Sequence, residues 1–273
     1  MNFRNVVKSI APSFILEVVR AQRDLAAIQG SSPIASWVSA CSPRVRTAIE
    51  RSRFSLLPLR LRRPLSCVVD VGANEGQWLS SLLRLLRAEE VWVFEPNPDA
   101  METCQRRVKE YGGIHFKELA VGSAPGNAVL HITKSSDFSS LLYPNDKAMR
   151  AHYKDNAAKI VAERTVQVLP LDELLPVDRH VDLLKIDVQG VEREVLGGAK
   201  RTLGNTSAVL LEVNFRSHYQ GDDTFGPLHS LMTDLGFQLW SISPPYRGPS
   251  GEALWADALF LRTEELNCQH VGN

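Results

Sequence analysis

Apolar positions along the chain follow two regimes. In the first, Phe14, Val18, Ala21, Leu25 and Ile28 recur at helical spacing, which predicts one buried face of a helix starting after Pro12. Gly30-Ser31-Ser32-Pro33 closes it. Ser42-Pro43 supplies an N-cap and first-turn pair for a second helix carrying Arg44, Arg46, Arg51 and Arg53. A basic, proline-bounded junction follows, Leu59-Arg60-Leu61-Arg62-Arg63-Pro64. The pattern divides the chain near this junction into a helical N-terminal extension over 1–65 and a larger domain over 66–273.

In the second regime, short β-rich runs alternate with helical stretches. Strands are predicted at 67–71 (CVVDV), 91–95 (VWVFE), 114–121 (IHFKELAV), 128–133 (AVLHIT) and 165–169 (TVQVL). Further strands are predicted at 181–187 (VDLLKID), 208–213 (AVLLEV), 237–242 (FQLWSI) and 258–262 (ALFLR). Helices are expected near 77–88, 99–111, 145–162, 191–203 and 224–235. Strands alternating with helices imply right-handed crossovers and a mainly parallel α/β sheet.

Composition alone is ordinary, but its distribution is not. The chain has 273 residues, 44% apolar and 23% charged, enough for a sizeable core. Lys+Arg and Asp+Glu are both 31, a net charge of zero, which argues against a nucleic-acid partner. Residues 1–66 hold 11 basic against 3 acidic side chains, a net +8; the remainder holds 20 against 28, a net −8. The basic arm is therefore expected to dock on its own acidic domain, to meet an anionic membrane surface or acidic partner, or to support a homo-oligomer. Cys41, Cys67, Cys104 and Cys268 show neither a CxxC pair nor metal-ligand spacing, so no disulfide framework or metal site is expected. That usage suits a reducing, cytoplasmic compartment. Glu17 interrupts the apolar stretch Phe14 to Val19, so neither a secretory signal nor a membrane span is expected.

Chemistry concentrates where the strands end. Asp70-Val71-Gly72-Ala73-Asn74-Glu75-Gly76 lies between a buried strand and an amphipathic helix, where open α/β sheets bind ligands. Gly72 would let a ligand approach the backbone, Gly76 would let the helix start tightly packed, and Asn74 and Glu75 could cap it. Carboxylates here suit a positively charged ligand better than a pyrophosphate. Glu95 ends the next strand, where an acidic side chain accepts both hydroxyls of a ribose. A nicotinamide-dependent oxidoreductase would need GxGxxG, and the chain has Gly72-x-Asn74-x-Gly76. A non-catalytic nucleoside-binding domain remains an alternative on fold alone.

Five segments in order carry a resemblance: VVDVGANEG, VFEPNP, the LAVGS and Pro-Gly stretch from Leu119 to Gly126, LLKIDVQGVEREVLGGA, and VLLEV. Together they resemble the FkbM-type family of class I S-adenosylmethionine-dependent methyltransferases, from about Cys67 to about Arg262. The resemblance implies a Rossmann-like fold with a mainly parallel seven-stranded sheet and helices on both faces. It implies methyl transfer from S-adenosyl-L-methionine to a hydroxyl of a sugar, glycan, glycolipid or natural product. By position, Asp70, Gly72, Ala73, Asn74 and Gly76 would line the methionine side, and Glu95 the ribose. Pro96, Asn97, Ala120 and Val121 would flank the adenine. Members often carry Glu after the KIDV string; here it is Gln189, one negative charge fewer.

Asp187 should lie near the transferred methyl and is the first candidate general base, with His218 the second. Lys185, inside a buried strand, needs a partner: Asp187 or Glu212, with Asp70 two strands away as a third. Glu192 is expected to stabilise a helix start. Ser139, Ser140, Glu212, Asn214 and Tyr246 are the candidate acceptor contacts, and Trp240, Trp255 and Tyr246 could stack on a sugar ring.

Overall fold

The computed structural model describes residues 64–153 and 156–263. The two helices expected before residue 64 lie outside the described residues. From Leu65 the chain forms β1 (Leu65–Val71), α1 (Gln77–Leu85), β2 (Ala88–Phe94), α2 (Pro98–Arg107), β3 (Ile114–Lys117), β4 (Ala120–Val121) and β5 (Gly126–Thr133). After a 3-10 turn at Ser136–Phe138 come α3 (Asp146–His152), β6 (Ile160–Leu169), α4 (Leu171–Leu174), β7 (Leu183–Ile186), α5 (Glu192–Gly197) and α6 (Lys200–Gly204). The last elements are β8 (Ala208–Asn214), α7 (Phe225–Asp234), β9 (Phe237–Ile242), β10 (Tyr246–Arg247) and β11 (Ala253–Arg262).

The main sheet is built in the order β3-β2-β1-β7-β8-β11, with the first five strands parallel and β11 antiparallel. Residues 67–71 and all of β7 are buried, as strands covered on both faces must be. The chain steps outward from β1 through β2 to β3, then returns to the other side of β1 for β7 and β8. The strand order therefore reverses between β1 and β7, and ligands of open α/β sheets bind outside that point. The sheet contains eight strands rather than the expected seven. The reason is local: β9 and β10 pair with successive stretches of one edge of β11, interrupted by Ser243-Pro244-Pro245, so they fill a single seventh position.

Three expectations are corrected by packing. The run 114–121 is not one strand: Leu119 N–H turns back to the Lys117 carbonyl (3.0 Å), and β4 joins a second, three-stranded sheet in the order β4-β6-β5. Alternation then serves two cores, with Leu119 and Val121 in the main one and Ala120 against Leu130 and Val166 in the other. The helix expected over 145–162 stops at His152, because Ile160 to Thr165 pair antiparallel with β5. There β-branched Ile160, Val161 and Thr165 suit a strand. The helix expected over 191–203 breaks at Gly197-Gly198, where a Cβ on Gly198 would lie 2.0 Å from the Gly122 carbonyl oxygen.

Candidate active site

The turn after β1 passes through three left-handed residues, Gly72 (φ 77°), Asn74 (φ 48°) and Gly76 (φ 76°). A Cβ on Gly72 would sit 1.8 Å from the Asp187 carbonyl oxygen. The close approach expected for a ligand is thus first of all an approach to the chain's own β7 end, and the two turns are locked together. Gly76 behaves as expected: its missing Cβ would meet Cys104 Sγ of α2 at 2.6 Å. Gly76 itself occupies the N-cap of α1 without a side-chain bond, so Asn74 and Glu75 do not cap the helix. Asn74 Nδ2 donates instead to Asp137 (2.9 Å), and Glu75 pairs with Arg107 (3.4 Å).

Glu95 ties the first two turns together. One carboxylate oxygen accepts the Asn74 N–H (2.8 Å) and the other accepts the Asn97 N–H (2.9 Å). Asn97 in turn caps α2, with Pro98 in its first position. Burial raises the Glu95 carboxyl to about 7, against the pull of those two N–H groups. Ala73 is buried beside this clamp, Pro96 is partly exposed, and Ala120 and Val121 are enclosed by the packing of β4.

A row of ionisable side chains crosses the carboxyl ends of β1, β7 and β8. Asp70 lies directly opposite Lys185 on the neighbouring strand, not two strands away. Lys185 Nζ lies 3.2 Å from Asp70, 3.4 Å from Asp187 and 3.1 Å from the Gly72 carbonyl, and 5.6 Å from the Trp78 ring centroid. Burial works against this ammonium, but the carboxylates of Asp70 and Asp187 outweigh it and hold its pKa above the usual value. The same burial raises Asp70, with Lys185 opposing it. Glu212 is not a partner of Lys185; it accepts from Gln189 Nε2 (2.7 Å) and faces Asp257 across the β8–β11 ladder. Burial, then the Asp187 charge, lifts Glu212 well above the usual carboxyl range. Glu192 braces the turn before α5 by accepting the N–H groups of Val188 (3.2 Å) and Gly190 (3.1 Å), and burial raises it to about 7.

The connection from β5 closes over these turns. Ser140 Oγ donates to the Gln189 carbonyl (2.7 Å) and accepts the Leu142 N–H (2.9 Å), while Ser139 Oγ accepts the Thr133 N–H (3.2 Å). Both hydroxyls brace the connection. Asp137, one turn earlier, is the residue that reaches the glycine turn. His218 is not a surface residue but 3% exposed, with Nδ1 2.9 Å from Asn214 Oδ1 and Nε2 3.4 Å from the Tyr153 hydroxyl. The amide oxygen of Asn214 can only accept, so Nδ1 carries the proton and Nε2 the lone pair. Burial, with His152 nearby, lowers the imidazole to about 4. Tyr246 is stacked between Trp255 (5.4 Å) and Tyr153 (5.9 Å), so both faces expected to meet a sugar are covered by aromatic neighbours. Trp240 stands apart at 48% exposure. Tyr153 and Asp137 were not singled out from sequence: the first fell inside an expected helix and the second in a connection of unknown path.

A parallel sheet that reverses at a glycine turn, an acidic end to the second strand and a carboxylate row around one ammonium suit a cationic nucleoside. They define an S-adenosylmethionine-dependent methyltransferase of class I. The methyltransferase FkbM domain matches residues 70–239, and the chain belongs to that family. The 2-O-methyltransferase NoeI of Sinorhizobium fredii is 26% identical over 204 residues, covering 71% of this chain and 80% of that protein. Methyltransferase 1 of Beauveria bassiana is 29% identical over 144 residues, 49% of this chain and 58% of its own length. The solved methyltransferase FkbM from Methylobacillus flagellatus KT is similar over 76% of this chain and 47% of its own, at 19% identity and a TM-score of 0.49. This chain therefore spans about half of that solved protein.

Proposed function

We propose that the protein transfers a methyl group to a hydroxyl oxygen of a sugar, glycan, glycolipid or natural-product acceptor. S-adenosylmethionine supplies a methyl activated by its sulfonium. Glu95 would hold the ribose, Pro96, Asn97, Ala120 and Val121 would form the adenine side, and the turn from Asp70 to Gly76 the methionine side. The observation that carries the oxygen assignment is His218: buried, uncharged at neutral pH, with the Asn214 bond to Nδ1 placing the lone pair on Nε2, beside the Tyr153 hydroxyl at 3.4 Å. Asp187 is less suited to take a proton, because Lys185 engages one of its oxygens and Gln189 the other.

Chemically, the acceptor oxygen forms its bond to the methyl carbon as the sulfur–carbon bond breaks with its electron pair on sulfur. The hydroxyl proton becomes strongly acidic in that process, so a weak base such as His218 suffices to take it at Nε2. Similarity to a relative named as a 2-O-methyltransferase supports the same reading. The test is a screen of hydroxylated glycans and glycolipids with methyl-labelled cofactor. Label should enter as a base-stable ether. Label in a base-labile ester or on nitrogen, or tight binding of NAD without either sulfur ligand, would overturn it.

A further inference from the structure

Three of the five residues from Gly72 to Gly76 are left-handed, and the middle one, Asn74 (φ 48°), carries a side chain. Left-handed backbone is uncommon outside glycine, although Asn enters it more readily than most. The two glycines are fixed by close packing, Gly72 on the Asp187 carbonyl and Gly76 on Cys104. Asn74 is fixed by a hydrogen bond at each end. Its N–H donates to Glu95 Oε2 (2.8 Å), and its side-chain Nδ2 donates to Asp137 Oδ1 (2.9 Å).

The second of these bonds comes from another part of the fold. Phe94, Glu95, Cys104, Lys185 and Asp187, which also hold this turn, belong to the main sheet, the turns at its strand ends and α2. Asp137 lies in the 3-10 turn that follows β5 of the second sheet. That turn is itself anchored: the Phe138 carbonyl accepts the Tyr219 hydroxyl (3.2 Å), and the Phe138 ring lies 4.6 Å from that of Tyr153. Ser135 Oγ donates to the other carboxyl oxygen of Asp137 (3.3 Å), so the side chain is aimed from both sides. Asp137 is exposed, and replacing an exposed side chain moves global stability little. Its bond acts locally, on a residue that also holds Glu95.

We infer that Asp137 is a positioning residue for the cofactor: its bond to the Asn74 side chain keeps the turn left-handed and, through the Asn74 N–H, keeps Glu95 in place. The inference rests on the proposed placing of the cofactor at Glu95 and the glycine turn. The bond exists in the free protein, so the turn is ordered before the ligand arrives. Without it Asn74 spends part of its time outside the left-handed region, and affinity falls with the fraction of competent turns. S-adenosylmethionine and its demethylated product share the adenosine, so both should weaken alike.

Calorimetry on the full chain with S-adenosylhomocysteine tests it, using wild type, Asp137→Ala, Asp137→Asn, Glu95→Ala, and Asn74→Gly with and without Asp137→Ala. Asp137→Ala should weaken binding by about fivefold to tenfold while Tm stays within about 2 °C of wild type. Asp137→Asn keeps an oxygen for Asn74 Nδ2 and should stay within about twofold. Glycine at position 74 needs no side-chain bond, so in that background Asp137→Ala should change Kd by no more than about twofold. Equal losses in Asp137→Ala and Asp137→Asn, a loss that persists beside Asn74→Gly, or a larger fall in Tm would overturn the inference. So would unchanged binding in Asp137→Ala beside a loss in Glu95→Ala. Unchanged binding in both would overturn the placing of the cofactor as well.

Discussion

Glu95 ties two turns together, and under the proposed function the same side chain would also meet the ribose. Its two oxygens already accept N–H groups from separate turns, and each oxygen keeps a further lone pair for a ribose hydroxyl. Replacing Glu95 with Ala should weaken S-adenosylmethionine binding by about tenfold to a hundredfold, as loss of hydrogen bonds to a charged group does. With its carboxyl at about 7, affinity should fall as pH drops below that value, and Glu95→Gln should flatten the dependence; calorimetry across pH reads both. His218 titrates at a lower pH than a surface histidine. Its pKa falls from 6.5 to about 4 in the folded state. The unfolded chain therefore takes up a proton that the native site refuses, and stability declines as pH falls from about 6.5 towards 4, by on the order of 3 kcal/mol. His218→Gln should remove this acid-side loss in thermal unfolding. It should also lower turnover by about a hundredfold or more while cofactor affinity stays within twofold. The pairing of Lys185 with carboxylates was legible because a buried cation has few physical meanings. Gln189 was not: its position in the string was visible, but Ser140, Glu212 and Tyr219, which hold it, come from elements far apart in sequence.

At the scale of elements, the sequence misled where close packing overrode periodicity. Residues 191–203 keep a helical pattern, yet Gly198 must pass so near the Gly122 carbonyl that the helix divides. Gly198→Ala should therefore destabilise the protein by about 1–3 kcal/mol, as other overpacked core positions do, with the loss read as a lower Tm. An unchanged Tm would mean that the neighbouring strand can yield. Residues 160–162 were read as the end of a helix over 145–162. The register with β5 decides for a strand, a non-local pairing that no local window contains.

For the molecule as a whole, the burial of the strands predicts an order of opening. β1, β7 and β8 are almost wholly enclosed, whereas β6 is exposed along most of its length. Hydrogen exchange should therefore leave residues 65–71, 183–186 and 208–214 protected longest, while 126–133 and 160–169 exchange earlier. Equal protection of both sheets would show that they open as one unit. The charge pattern belongs to this scale too: the net −8 of residues 67–273 suits a cationic cofactor. By itself the sequence determined the alternation of strands and helices, the glycine turn, the acid after the second strand and hence the class of cofactor. Each of these is written in residues adjacent along the chain. Only the tertiary structure decided that Gly72 packs on Asp187, that Lys185 faces Asp70, that a second sheet exists, and that Gln189 joins two carboxylates. Apart from the local Gln189–Asp187 bond, those contacts link residues distant in sequence, and their energies depend on burial and register, which exist only once the chain has folded.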